Sequence, residues 1–318
     1  MTKLPIFGRK CGIIGFSALS YQSHRPRHPT HPSPSRTGKR GVKHRLVPSD
    51  VGTYCMRGTD TVYKCLDTAL KHGYRLIDTA AVYRNEEDIG NALKELLPKY
   101  GLERSDIYIT SKLAPADQGE KAYDACLLSL QKLQMEYLDL YLIHWPGTQK
   151  LKPHDPKNTE NRQVTWKVLE RLHREGKCKQ IGISNYLVKH MEELMKYAEI
   201  QPAVNQSEYH PLYLIKDVVQ YCQKNGIDFQ SYSTLYRGEL LNHPSVVSIA
   251  DRIQRKPCQV LLKWAMQDGI GVIPMSTKPD HIIDNCDVFD WSLSDEDMIA
   301  LHSFNETKKC AWDPVDII

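Results

Sequence analysis

Four residue types in this chain could together protonate an oxygen. Asp78 and Tyr83 lie five residues apart in YRLIDTAAVYRNEE, Lys112 is the penultimate residue of ITSKL, and His144 follows the apolar run LDLYLI. A free tyrosine ionises near pH ~10 and is a weak acid at neutrality. A neighbouring ammonium favours the phenolate and is expected to lower that value. A carboxylate paired with the same lysine would keep it charged and aimed. His144 could hydrogen-bond a substrate oxygen or share the proton. The set suits general acid catalysis of an oxygen becoming an alkoxide, an effect of roughly 10²–10⁴-fold. An alkoxide forms when hydride reaches a carbonyl, and hydride requires a cofactor.

Each residue also has a plainer reading. Asp78 could cap a turn, Lys112 could pair on a rim, His144 could be a satisfied core histidine, and Tyr83 a loop aromatic. Metal binding by His144, His210 and Glu208 is the competing chemistry. No H-x-H pair and no H-E-x-x-H occurs, so no metal is expected.

The elements that would carry these residues alternate regularly. Amphipathic helical stretches at 59–73, 85–101, 120–134, 161–177, 187–199 and 215–226 separate short apolar strands at 74–80, 107–113, 138–146, 178–186, 202–210 and 227–234. A longer helical stretch ends at 255–269, a seventh strand covers 269–277, and a final helix follows. An eighth strand must come from RLVPSDVGTY (45–54), where Pro48 and Asp50 suit a buried parallel strand poorly. Short apolar strands joined by helices predict a parallel sheet buried on both faces. The repeat favours a (β/α)8 TIM barrel with an imperfect first strand over a doubly wound sheet, since no G-x-G-x-x-G follows a strand.

In such a barrel the chemistry sits at the carboxyl ends of the strands. Polar residues collect there: Asp78, Lys112, His144, Ser184 with Asn185, the trio Gln206, Glu208 and His210, and Tyr232 with Ser233. They are expected to converge on one rim.

Charge divides the chain. It has 42 basic and 38 acidic residues, for a net +4, but residues 1–49 hold ten Lys or Arg and no acid. The rest is mildly acidic, which excludes a nucleic-acid-binding body. Residues 1–47 are Pro-, Ser- and Arg-rich and are expected to be a disordered extension, with 48–318 the barrel. An organelle transit peptide, which would place the protein in mitochondria rather than the cytoplasm, and a basic binding arm are the other readings. No apolar stretch approaches the ~20 residues of a membrane span. Nine scattered cysteines without C-x-x-C spacing read as reduced thiols. With no exposed apolar stripe, a monomer is expected.

The string GYRLIDTAAVYRNEEDIG (73–90) resembles the signature of the aldo-keto reductase family, and ITSKL (109–113), YLDLYLIHWPG (137–147), IGISNY (181–186) and VNQSEYHP (204–211) are similar to its other segments in order. The resemblance runs from about Gly52 to Pro314. It implies a (β/α)8 fold, NADPH as hydride donor and reduction of aldehydes or ketones to alcohols. By the same resemblance Asp78, Tyr83, Lys112 and His144 are catalytic. Ser184, Asn185 and Gln206 hold the nicotinamide carboxamide and Tyr232 stacks on its ring. Gly52, Thr53, Ser233, Leu235, Pro274, Ser276 and Asn285 complete the cofactor-binding set. Tyr54, His144, Trp145 and Trp312 face the substrate. The short ending AWDPVDII (311–318) is similar to compact members that act on small aldehydes, dicarbonyls or keto-sugars.

Two departures stand out. Met275 in VIPMS occupies the place where the family has a lysine on the 2′-phosphate, and His281 replaces an arginine six residues later. Each charge-assisted contact is worth ~1.5–3 kcal/mol, so losing two could lower NADPH affinity by roughly 10²–10⁴. Lys278 lies nearby to compensate in part. Weakened NADPH selectivity, with NADH accepted, is expected. These departures and the odd first strand also favour a second reading, a nucleotide-binding barrel with a regulatory or structural role.

Overall fold

The computed structural model describes residues 50–318. The expectations for residues 1–47, and for the part of the first strand before Asp50, lie outside the described residues.

Eight strands run in sequence order: β1 (Asp50–Gly52), β2 (Leu76–Asp78), β3 (Tyr108–Leu113), β4 (Leu138–Ile143), β5 (Cys178–Ser184), β6 (Val204–Glu208), β7 (Asp228–Tyr232) and β8 (Gly271–Val272). Every neighbouring pair is parallel. β8 returns to β1 through the Gly52 N–H donating to Pro274 O at 3.0 Å, which closes the ring. A Cβ on Gly52 would meet Ile273 Cγ2 at 3.1 Å and Ile273 O at 3.3 Å. The seam therefore depends on a residue without a side chain.

The linking helices are α1 (Thr59–Lys71), α2 (Glu86–Lys99), α3 (Ala122–Leu133), α4 (Lys157–Arg174), α5 (Val188–Leu194), α6 (Lys216–Asn225), α7 (Pro244–Arg252), α8 (Pro257–Gln267), α9 (Pro279–Cys286) and α10 (Asp295–His302). The single helical stretch expected before residue 269 is two helices, α7 and α8. The single final helix is also two. Ser294 restarts the chain as α10 with a reciprocal capping box, its Oγ accepting from the Asp297 N–H and the Asp297 carboxylate accepting from the Ser294 N–H, both at 3.2 Å.

The main apolar core lies between strands and helices, and a smaller cluster of Leu140, Leu142 and Val204 fills the barrel centre. The register opposes Gly52 to Asp78 and Asp78 to Thr110. Side chains alternate with period two, so Lys112 shares the inward face with Asp78 one layer higher. β1 pairs along all three residues, yet it carries the awkward group the sequence shows. Asp50 is buried and its Oδ1 has no hydrogen-bond partner. Burial, and then the Asp78 carboxylate, hold its carboxyl well above the usual range.

The eight described cysteines are free thiols. No helix of the described residues is long and apolar enough to cross a membrane.

The C-terminal tail returns to α4 and α5. Arg162 Nη2 donates to Ile318 O at 2.6 Å, and His190 Nε2 meets Ile317 O at 2.9 Å while its Nδ1 accepts from the Leu187 N–H at 3.2 Å. Burial lowers the His190 pKa to about 4, against the opposing pull of the Ile317 carbonyl. A histidine whose folded value lies below its unfolded ~6.5 stabilises fully above that pH and loses the contribution as pH falls toward 4. The loss amounts to about 3 kcal/mol. In urea unfolding at pH 7.5 and 4.5, His190→Gln should therefore lose less stability on acidification than the native chain. Equal losses would contradict the assignment.

Candidate active site

Lys112 is at the centre of the site. Its Nζ, wholly buried, donates to Asp78 Oδ1 at 2.6 Å and Thr79 O at 2.9 Å, and lies 3.5 Å from the Tyr83 hydroxyl. Asp78 Oδ2 accepts from Gln206 Nε2 at 2.8 Å. The His144 ring stands nearly perpendicular to that of Tyr83, centroids 5.7 Å apart. The structure thus brings together Asp78, Tyr83, Lys112 and His144.

A short turn, Ala81–Tyr83, carries the phenol back over the end of β2, and Arg84 ends it in the left-handed region at φ 58°. Asn85 pins this turn. Its Oδ1 accepts from Thr79 Oγ1 at 2.7 Å, and its Nδ2 donates to Thr53 O at 2.9 Å and Met56 O at 3.1 Å. Sequence reasoning missed Asn85. Its only signal was an amide side chain directly before the acid-rich start of a helix.

The electrostatics overturn one expectation. Tyr83 is not acidified by Lys112. Burial, and then the Asp78 carboxylate, hold its pKa well above the ordinary value. The ammonium is already committed to Asp78, so the phenol faces a neutralised pair in a dry site. Lys112 is itself lowered by burial, with Asp78 opposing. His144 is lowered well below its usual value by burial and by the Lys112 charge. At neutral pH the site presents a protonated phenol and a neutral imidazole, whose Nδ1 has no hydrogen-bond partner.

Beside this set, β5, β6 and β7 end in a polar cradle. Ser184 Oγ donates to Gln206 O at 2.7 Å, Asn185 Nδ2 donates to His144 O at 2.9 Å, and Tyr232 OH donates to Asn185 Oδ1 at 2.6 Å. Asn185 and Ser233 both sit at positive φ, 63° and 55°. Held backbone of this kind, in the sparsely populated left-handed region, concentrates at ligand sites. Two carboxamides, a hydroxyl and an aromatic face complement a nicotinamide with its own carboxamide, so these residues fit a reduced nicotinamide cofactor. Gly52 and Pro274 meet across the β1–β8 seam, and Thr53 holds Asp78 O through both N–H and Oγ1 at 2.9 Å. Leu235 is half-buried behind β7, while Ser276 Oγ accepts from the Lys278 N–H at 3.1 Å. Asn285 is buried on α9, and Met275, Lys278 and His281 are exposed.

An aromatic wall faces Tyr83. The Tyr54 ring lies 5.2 Å from it, Trp145 stacks at 6.3 Å on His144, and Trp312 meets Trp145 edge-on at 5.2 Å. His144, Trp145, Trp312 and Val82 line a cleft of about 750 Å³. Glu208 and His210 do not join the reacting groups. His210 Nε2 lies 2.8 Å from Glu208 Oε1, and the carboxylate turns toward the C-terminal tail.

Residues 57–306 match the model of the aldo/keto reductase family. The chain belongs to that family. It is 40% identical over 269 residues to a glyoxal reductase of Bacillus subtilis, covering 84% of this chain and 92% of that one. It is 38% identical over 279 residues to aldose reductase B of Dictyostelium discoideum, covering 82% and 90%. Among solved structures it is similar to the aldose reductase of Schistosoma japonicum, with 35% identity, TM-score 0.75 and coverage of 82% and 89%. A Bombyx mori aldo-keto reductase in complex with NADP superposes with TM-score 0.74 at 28% identity, over 82% and 89% of the chains. This aldo-keto reductase is therefore an NADP(H)-linked oxidoreductase that reduces carbonyl groups of small molecules. The alternative reading, a regulatory or structural barrel, finds no support in these comparisons.

Proposed function

We propose that Tyr83 protonates the carbonyl oxygen of small aldehydes and dicarbonyls, with His144 orienting that oxygen. The observation that carries this reading is the buried chain from Asp78 through Lys112 Nζ to the Tyr83 hydroxyl, at 2.6 and 3.5 Å. When bound, the reduced nicotinamide supplies the hydride. Ser184, Asn185 and Gln206 would hold its carboxamide and Tyr232 would cover its ring. Tyr83 donates its proton as charge develops on the oxygen, and the adjacent Lys112 ammonium stabilises the phenolate left behind. Neutral His144 donates a hydrogen bond without adding a second buried charge. Tyr54, Trp145 and Trp312 exclude water and set the width of the carbonyl site. The likeness to a glyoxal reductase supports small dicarbonyls as substrates.

The phosphate end supports a second element of the proposal, relaxed cofactor choice. Met275 is exposed and uncharged where the family resemblance places a lysine, and exposed His281 stands where it places an arginine. Oxidation of NADPH and NADH should be followed with methylglyoxal and with an aromatic aldehyde. Turnover of both aldehydes is expected, with kcat/KM for the two cofactors within about tenfold, and Met275→Lys should shift the ratio toward NADPH by about tenfold. Turnover of neither aldehyde would end the carbonyl-reductase reading. A strong native preference for NADPH, unchanged in Met275→Lys, would end the cofactor reading alone.

A further inference from the structure

Glu208 is a buried carboxylate that the proton-transfer set does not use. It closes β6 and is 1% exposed. Its Oε1 accepts from the Cys310 N–H at 2.7 Å and its Oε2 from the Ala311 N–H at 2.8 Å. His210, itself fully buried, contributes a third contact at 2.8 Å to Oε1. Burial alone would raise this carboxyl, but the bonds from His210, Cys310 and Ala311 bring it down to about 2. Two consecutive backbone amides forked onto one ionised carboxylate make a charge-assisted clamp, stronger than neutral hydrogen bonds of the same length.

The next residue along is Trp312. Its ring is half-exposed at 51% and meets Trp145, which stacks on His144. Beyond Trp312, Asp313 pairs with Lys309 at 3.8 Å, Pro314 is buried, and the Val315 carbonyl accepts from Lys189 Nζ at 2.7 Å. The two amides just before Trp312 hold it to a buried charge, whereas the exposed Arg237 Nη2 holds the Cys310 carbonyl at 2.7 Å from the solvent side. Glu208 stands opposite Tyr232 in the β6–β7 register.

We infer that Glu208 is a positioning residue for specificity: by clamping the amides of Cys310 and Ala311 it fixes Trp312 against Trp145 and so sets the fit for carbonyl substrates bearing an aromatic group. The inference rests on the reading of Trp145 and Trp312 as the wall of the carbonyl site. A small dicarbonyl has no ring to stack on that wall, whereas an aromatic aldehyde has one. Gln at 208 keeps one acceptor and turns an NH2 toward a backbone N–H, which releases one arm of the clamp.

The test compares native protein, Glu208→Gln, Trp312→Ala and the double variant with NADPH. KM for an aromatic aldehyde should rise about tenfold in Glu208→Gln, or ~1.4 kcal/mol. KM for methylglyoxal, and kcat for both, should stay within about twofold, because no group that touches the reacting atoms has changed. In the Trp312→Ala background the aromatic KM is already raised, and Glu208→Gln should add nothing. Hydrogen exchange of the 308–318 segment should accelerate at least about tenfold in Glu208→Gln. Equal KM rises for both aldehydes, or a full Glu208→Gln effect without Trp312, would overturn the inference. If Glu208→Gln does not fold, Ala311→Pro removes the N–H on Oε2 and leaves the barrel intact. It should reproduce the aromatic KM rise, and an unchanged KM there overturns the proposal. If the native chain turns over neither aldehyde, the carbonyl-site reading fails, while unchanged exchange in Glu208→Gln separately overturns the clamp.

Discussion

Tyr83→Phe should lower kcat by roughly 10²–10⁴-fold, the range for loss of a positioned general acid. The phenyl ring fills the same volume, so the edge contacts with Tyr54 at 5.2 Å and His144 at 5.7 Å survive. Lys112 keeps Asp78 and Thr79 O as partners. Stability should therefore change little, and KM should move far less than kcat, because the lost interaction is made mainly in the transition state. Steady-state kinetics with cofactor-binding titrations check this. A kcat within tenfold of the native value would mean that His144 or water delivers the proton instead. The raised Tyr83 pKa adds a pH prediction. The phenol stays protonated across the neutral and mildly alkaline range, so kcat should show no loss there from its ionisation.

The largest stability effects belong to Asp78 and Lys112. Their ion pair is 2.6 Å long with side chains 5% and 0% exposed. Removing one partner of such a pair strands a buried charge and costs about 3–5 kcal/mol. Asp78→Asn should destabilise by that amount in urea unfolding. It should also drive the lysine, already lowered by burial, further toward its neutral form and collapse kcat, because no ammonium then stabilises the developing phenolate. Lys112→Met should do comparable damage by stranding Asp78. The double variant Asp78→Asn with Lys112→Met should recover most of the stability and none of the activity. A double variant as unstable as the two single ones combined would show that the residues do not act as a pair.

The site was partly legible in the chain because much of its information is local. Asp78 and Lys112 betray themselves as charged residues ending apolar strands, which a pure core would not choose. Asp50 likewise advertised a flawed first strand, and its carboxyl is indeed buried with an unpartnered oxygen. Asn85 stayed hidden, since its partners Thr53, Met56 and Thr79 come together only after β1 and β2 pair. The helices before residue 269 and at the C-terminus blurred into single stretches, because a break between two amphipathic helices leaves the apolar period nearly unchanged.

Sequence alone determined the alternation of strand and helix, and with it the barrel, since periodicity and strand-end polarity are written in neighbouring residues. It also determined which residue types stand ready on the rim. Only the tertiary structure decided their chemistry. Desolvation outweighs the Lys112 charge at Tyr83, and the size of desolvation is a property of the closed barrel rather than of any segment. The role of Glu208 was decided the same way. Its clamp joins positions 102 and 103 residues apart, a separation at which no local pattern signals contact.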